Sequence, residues 1–138
     1  MHMAGFLQRF FAGAPDDIVG CLRCRGSQDY QTELRMAFQP IVDVVHGEVF
    51  AYEALVRGAD GRSAGQVLAE VSPDQIYAFD QTCRVLAIDT AQRLGLRVRL
   101  SINFLPNAVY EPATCIRLTL AAAQKVGFPV DRLIFELT

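Results

Sequence analysis

Short segments in which apolar and polar positions alternate, each bounded by turn-forming residues, predict the strands of this chain. Residues 36–45 are rich in β-branched and aromatic side chains and predict a strand. A second strand is predicted over residues 48–57. The two-residue turn signal His46-Gly47 lies between these segments and predicts that they pair as an antiparallel hairpin.

Helical patterns follow the hairpin. Residues 63–71 predict a short helix, and a longer helix is predicted to begin at Ser72. Ser72 is followed by a proline, an acidic residue and Gln75 at the capping-box position, and Gly95 is a suitable residue to end this helix. The segment Pro112–Val126 predicts a second long helix.

Further strands are predicted over residues 97–103 and 132–137, where the apolar pattern returns. The order strand, strand, helix, strand, helix, strand predicts an α/β fold with a mainly parallel sheet and crossover helices. In such folds the chemistry lies at the carboxyl ends of the strands. Four polar side chains close or nearly close strands that are otherwise apolar: Glu53, Arg57, Asn103 and Glu136.

Composition narrows the class of partner. Hydrophobic residues make up 51% of the chain, charged residues 20%, and the formal net charge is −2, which is typical of a globular domain. No basic patch favours a nucleic-acid polymer or an anionic membrane. No apolar run approaches the ~20 residues that span a bilayer, and the first residues do not form a secretory signal. We therefore expect a cytoplasmic protein in which residues 1–35 form a leader with a short amphipathic helix and residues 36–138 form the domain.

Cys21 and Cys24 form a single C-x-x-C pattern. A zinc site would need a second pair or histidines at ligand spacing, and neither His2 nor His46 has that spacing. We predict ordinary reduced thiols, with a redox or metal role as the alternative.

Four segments, in order, resemble the EAL family of cyclic-di-GMP-specific phosphodiesterases. They are residues 38–43 (FQPIVD), 52–57 (YEALVR), 101–106 (SINFLP) and 135–138 (FELT). The tripeptide E-A-L alone has little value, but four motifs on the expected strands form a specific pattern that extends from residue 36 to the end. The compact interval between the second and third motifs is similar to that of EAL domains fused to blue-light-sensing modules. The resemblance implies a (β/α)8 TIM-type barrel with an antiparallel first strand, of which this chain holds the N-terminal half, truncated after about four strands.

The resemblance also implies two sets of site residues. The implied ligands of divalent cations are Glu53, which is also the implied catalytic residue, Asn103 and Glu136. The implied substrate-binding residues are Gln39, Leu55 and Arg57. The residue types suit this chemistry, because Mg²⁺ and Mn²⁺ prefer carboxylate and amide oxygens. Two such ions can activate water and stabilise the attacking and leaving oxygens of a phosphodiester.

In the family, the pattern continues with another Glu, an adjacent Asp pair, a Lys and further polar residues, and a full barrel takes ~250 residues. We therefore expect a fragment of a phosphodiesterase that converts cyclic di-GMP to pGpG, with no turnover by the fragment alone. One alternative is a degenerate EAL domain that binds cyclic di-GMP or a protein without hydrolysis. Another is a stable half-barrel that acts through oligomerisation.

Simpler interpretations of single residues are also open. Glu53 could be a solvated carboxylate at a strand end, and Arg57 could pair with Asp60. Asp80 and Arg84 lie one helical turn apart and predict a surface ion pair, with contact to the ligand as the alternative.

A half-barrel leaves two open sheet edges. It also leaves an inner face without half of its packing partners, and we assign Ile102 and Phe135 to that face. The open edges predict that the chain pairs with a second copy or with the rest of the barrel. The resemblance predicts cyclic di-GMP as a further partner.

Overall fold

A four-stranded sheet forms the centre of the computed structural model, which describes residues 5–14, 32–106 and 112–137. The strands follow one another in the order of the sequence. They are β1 (Leu34–Asp43), β2 (Glu48–Gly58), β3 (Arg99–Phe104) and β4 (Leu133–Leu137). The helices are α1 (Phe6–Phe10), α2 (Ala64–Ala69), α3 (Ile76–Arg93) and α4 (Pro112–Val126), and a 3₁₀ turn covers Val130–Arg132.

The strand directions confirm the predicted topology. β1 pairs antiparallel with β2, whereas β2, β3 and β4 are parallel. The long helices α3 and α4 are the crossovers between the parallel strands and pack against each other. The sheet and its crossovers are therefore those of an α/β fold with an antiparallel first strand.

The hairpin loop is longer than the two-residue turn that the sequence predicted. It covers residues 44–47, because β1 ends at Asp43 and β2 begins at Glu48. The Asp43 carboxylate accepts a hydrogen bond from the backbone N–H of Val45 at 2.9 Å, which stabilises the extra turn. Gly47 has a φ of 67°, a left-handed conformation that glycine adopts without steric strain.

The helix starts differ from the sequence-based expectation. The regular part of α3 begins at Ile76, after a turn, rather than at Ser72. One half of the predicted capping box remains, since the Ser72 N–H donates to Gln75 Oε1 at 3.3 Å. The complete capping box lies at the start of α2, where Ser63 and Gln66 exchange hydrogen bonds.

The hydrophobic core lies between the sheet and the helices. Ile102 is 3% exposed and belongs to one cluster with Phe79 of α3 and Leu118 of α4, and Phe135 packs against that cluster. The assignment of Ile102 and Phe135 to the inner barrel face was therefore wrong. Because side chains alternate along a strand, the neighbours of these residues in sequence are the ones that face away from the helices.

The predicted N-terminal helix is present as α1. Phe6 and Phe11 are buried in the main core cluster, and Lys125 of α4 donates a hydrogen bond to the Phe10 carbonyl oxygen. Cys21 and Cys24 lie outside the described residues. Cys83 and Cys115 form no disulfide within the described part of the chain, and burial raises the pKa of Cys83. No helix in the described part of the chain is long and apolar enough to cross a membrane.

Candidate cation and nucleotide site

The sheet has one face against the helices and one face turned away from them. Glu53 pairs in register with Ser101, and Asn103 pairs in register with Glu136. Partners in register point to the same side of a sheet, and so do residues two apart on one strand. The polar residues of β2, β3 and β4 therefore share the face that is turned away from the helices.

Asn103 connects two of the predicted cation ligands. Its Nδ2 donates to Glu53 Oε1 at 3.0 Å, and its backbone is the register partner of Glu136. Because Nδ2 donates this hydrogen bond, the orientation of the amide is fixed and Oδ1 can act as an oxygen ligand for a cation. The structure thus brings Asn103 and Glu136 to the carboxyl ends of β3 and β4, and Glu53 lies beside them at the centre of β2.

Ser101 belongs to the same cluster, although the sequence pattern did not single it out. Its side chain is fully buried, with 0% exposure, and its Oγ donates a hydrogen bond to Glu136 Oε1. The signal was the alternation of β3, which places Ser101 two residues before Asn103 on the same face. Glu53 and Glu136 therefore each accept a hydrogen bond from a side chain of β3, and both carboxylates are oriented.

The predicted substrate-binding residues lie on the same face at different heights. Gln39 is exposed on β1 directly opposite Glu53 in the antiparallel register. Leu55 follows Glu53 by two residues, and both Leu55 and Asn103 contribute to the cavity described below. Arg57 lies two residues further along β2, and its Nη1 donates to the Val56 carbonyl oxygen at 2.8 Å.

The ion pair between Arg57 and Asp60, which was one alternative, is replaced by another pair. Asp60 interacts with Arg62, whose Nε lies 2.8 Å from Asp60 Oδ2. Hydrogen bonds from the backbone and side chain of Arg62 lower the pKa of Asp60. Arg57 has a different neighbour that the sequence did not reveal, since Arg35 is its register partner on β1. Two guanidinium groups thus leave the same face beside the polar strand ends.

Asp80 and Arg84 are not on the surface. Their side chains are 3% and 1% exposed, and Arg84 Nη1 donates to Asp80 Oδ2. The predicted surface ion pair was therefore wrong about its location, although the pair itself forms. It lies beneath the chain that follows β3, because Asp80 Oδ1 accepts a hydrogen bond from the Leu105 N–H at 3.2 Å.

A cavity of about 270 Å³ lies between the sheet and helices α2 and α3, on the side of the sheet opposite the Glu53 carboxylate. Most of its lining is apolar and comes from the strands, α2 and α3, for example Val56, Leu68 and Phe79. Leu55 and Asn103 contribute to the same lining. Its lining is mostly that of the hydrophobic core, so the cavity is a gap in the packing between the sheet and the helices and is not lined by Glu53 or Glu136.

The donor set suits a hard divalent cation but is small. Two carboxylates and one amide offer oxygen ligands of the kind that Mg²⁺, Mn²⁺ and Ca²⁺ accept. No group of three or more His, Cys, Asp or Glu side chains that could hold a metal ion occurs among residues 5–14, 32–106 and 112–137. These residues therefore fit one part of a cation site.

Parallel strands with crossover helices and oxygen ligands near their carboxyl ends are typical of part of a TIM-type (β/α)8 barrel. A family model for the EAL domain matches residues 27–138. The chain therefore belongs to the EAL domain family.

Solved structures of EAL proteins are similar to this chain. A standalone versatile EAL protein from Vibrio cholerae O395, in its c-di-GMP-bound form, has 52% sequence identity and a TM-score of 0.74 over 78% of this chain and 46% of that chain. BlrP1 of Klebsiella pneumoniae, in a manganese and cyclic di-GMP complex, has 27% identity and a TM-score of 0.69 over 75% of this chain and 27% of that chain.

One curated protein is also similar to this chain over part of its own length. The blue light- and temperature-regulated antirepressor BluF of Escherichia coli strain K12 is 26% identical over 103 residues, which are 74% of this chain and 26% of BluF. The chain thus spans less than half the length of each of these three relatives.

Proposed function

We propose that this chain binds cyclic di-GMP together with Mg²⁺ or Mn²⁺ at the carboxyl ends of its strands. The observation that carries the proposal is the placement of Glu53, Asn103 and Glu136 on one face, with Asn103 hydrogen-bonded to Glu53 at 3.0 Å. The similar structures support it, because the Vibrio protein is bound to c-di-GMP and BlrP1 is in a complex with manganese and the same dinucleotide.

Each residue has a role that its chemistry supports. Glu53 and Glu136 would supply the negative charge that holds a cation, and Asn103 would add a neutral oxygen. Arg57 suits a non-bridging phosphate oxygen, because a guanidinium group donates paired hydrogen bonds in a fixed geometry. Gln39 and Leu55 would contact the nucleotide from β1 and β2. Bound cations would offset the charge of the phosphodiester and promote the activation of water.

We further propose that this half of the site belongs to a cyclic-di-GMP phosphodiesterase and that the 138-residue chain binds the dinucleotide without cleaving it. The small donor set favours this view, since the described residues hold no cluster of three acidic or other strong ligands. A two-metal phosphodiesterase needs more ligands than two carboxylates and an amide. The alternative is that the whole protein, like this chain, binds the dinucleotide as a sensor and does not cleave it.

Isothermal titration of the purified chain with cyclic di-GMP tests the binding, with Ca²⁺, Mn²⁺ or a chelator in the buffer. We expect binding that requires the cation and weakens about tenfold or more in the variants Glu53→Gln and Glu136→Gln. Glu48→Gln is the matched control, because Glu48 is an exposed carboxylate at the opposite end of β2. Equal affinities in all four proteins, or no binding at all, would contradict the proposal.

Chromatography of the nucleotides tests the second part. Incubation of the chain with cyclic di-GMP and Mn²⁺ should leave the dinucleotide intact. Formation of pGpG that disappears in Glu53→Gln would show that this half of the site is sufficient for turnover, and the claim of binding without cleavage would then be wrong.

A further inference from the structure

Two buried charged residues of α3 contact α4, the last residue of β3 and the residue that follows it. Arg84 Nε donates to Thr119 Oγ1 of α4 at 3.0 Å, and its guanidinium carbon lies 4.2 Å from the centre of the Phe104 ring. The Asp80 carboxylate accepts from Arg84 with one oxygen and from the Leu105 N–H with the other. The Asp80–Arg84 pair therefore joins α3, α4 and the two residues that follow Asn103.

Burial of this ion pair needs an explanation. Removing two charges from water is expensive, and apolar residues of similar volume commonly serve a helix interface as well or better. The same helix carries a second pair at the same spacing, Asp89 and Arg93, with 2.9 Å between Oδ2 and Nη2 and with an exposed arginine. Unlike the Asp89–Arg93 pair, the buried pair contacts the aromatic ring and the backbone N–H of the two residues that directly follow Asn103.

We propose that Asp80 and Arg84 are positioning residues for Asn103. β3 ends at Phe104, so the strand itself no longer fixes the chain beyond the site residue. Phe104 packs under the Arg84 guanidinium, and the Leu105 N–H is held by Asp80. These two contacts restrict rotation of the peptides next to Asn103, whose side chain then keeps its hydrogen bond to Glu53 on the opposite face of the sheet.

The consequence for cation binding rests on the proposed function, whereas the effect on Asn103 does not. Groups that orient a metal-binding residue without contacting the metal themselves are important for affinity. Their removal commonly weakens metal binding by 10- to 100-fold. The pair holds the backbone of Leu105 and the ring of Phe104, which directly follow Asn103. Its effect on the cation ligands is therefore transmitted through the backbone.

Amide exchange measured by NMR on the whole chain tests the positioning. In the unmodified protein the Leu105 N–H should exchange as slowly as core amides of β3. In the double variant Asp80→Leu/Arg84→Met, which replaces the pair by apolar side chains, we expect a cooperatively folded protein whose Leu105 N–H exchanges about tenfold faster or more. The side-chain amide resonances of Asn103 should shift in the same variant.

Asp89→Asn is the matched control, because it breaks the outer pair on the same helix and should change neither signal. Asp80→Asn serves as a second variant and should change both in the same direction. Rapid exchange of the Leu105 N–H in the unmodified chain would overturn the proposal without any variant. So would a folded double variant in which Leu105 and Asn103 behave as before.

Titration with Mn²⁺ alone, followed by the relaxation of water protons, tests the consequence. The double variant should bind Mn²⁺ about tenfold more weakly than the unmodified chain, and Asp89→Asn should bind it equally well. Unchanged Mn²⁺ affinity in a double variant with a loosened Leu105 would reduce the pair to a structural role and refute the proposal. Failure of the unmodified chain to bind Mn²⁺ would contradict the proposed function instead, and the exchange experiment would still decide the positioning.

Discussion

Replacing Asn103 by aspartate should make the stability of the fold depend on divalent cations. The native amide donates to Glu53 at 3.0 Å, and the substitution Asn103→Asp would turn this contact into two facing carboxylates. Loss of a hydrogen bond to a charged acceptor removes about 1.5–3 kcal/mol. Two charges about 4 Å apart repel by about 1 kcal/mol in water and about 4 kcal/mol at the effective dielectric near a protein surface.

Glu53 is half-buried, so the repulsion should lie between these limits. We expect Asn103→Asp to lower the free energy of unfolding by about 3–5 kcal/mol in the presence of a chelator. That is a large part of the ~5–15 kcal/mol that separates folded from unfolded states of a typical domain. A divalent cation should recover most of this loss, because it binds between the new carboxylate and Glu53 in the folded state only.

Urea denaturation followed by circular dichroism, with chelator or with excess Ca²⁺, measures both effects. Asn103→Ala is the control, since it removes the hydrogen bond without adding charge and should show a smaller loss that Ca²⁺ does not recover. Native stability of Asn103→Asp in chelator would refute the predicted repulsion. Equal stabilisation of the Ala and Asp variants by Ca²⁺ would refute the predicted cation binding between the two carboxylates.

Three further predictions concern the fold. Ile102→Ala should lower the free energy of unfolding by about 2–5 kcal/mol in urea, because it opens a cavity between sheet and helices. Gly58→Ala should lower it by only about 1 kcal/mol or less, since the new Cβ would lie 2.5 Å from Asp60 Oδ1, which ends an exposed side chain that can turn away. Asp43 accepts a hydrogen bond from His46 that lowers its pKa below the ordinary 3.8, so its contribution to the hairpin is present above pH 3.8 and is lost as pH falls through the lower folded-state pKa. Amide exchange in the hairpin loop at decreasing pH should show that loss, and a pH-independent loop would contradict it.

The sheet topology could be predicted from the sequence because each feature that determines it lies within a short segment of the chain. Alternation identified the strands, and the short loop after Asp43 required an antiparallel hairpin, whatever the length of its turn. The crossover helices required the later strands to be parallel. The sequence placed Glu53 and Asn103 near strand ends; the structure has Asn103 there and Glu53 at the centre of β2, and it joins the two by a hydrogen bond.

Burial in the helix layer could not be predicted in the same way. A charged pair at helical spacing is usually on the surface, and nothing in the sequence says that Asp80 faces the Leu105 N–H. That contact depends on how α3 lies on the sheet. Ser101 was missed for a related reason, since a serine within an apolar strand carries no chemistry until the register places it beside Glu136.

The corrected orientation of Ile102 and Phe135 changes which surfaces should attract partners. The expectation of association counted them among apolar side chains left exposed on the inner face, but they pack against the helices. The opposite face carries Glu53, Ser101 and Asn103. Exposing these polar side chains to water costs less free energy than exposing aliphatic side chains. The sheet edges remain: β1 pairs only with β2, β4 pairs only with β3, and Leu137 is 78% exposed within the described part of the chain. Unpaired edges favour association through backbone hydrogen bonds, so a second copy or further strands should join the sheet at its edges and leave the polar face free for a ligand.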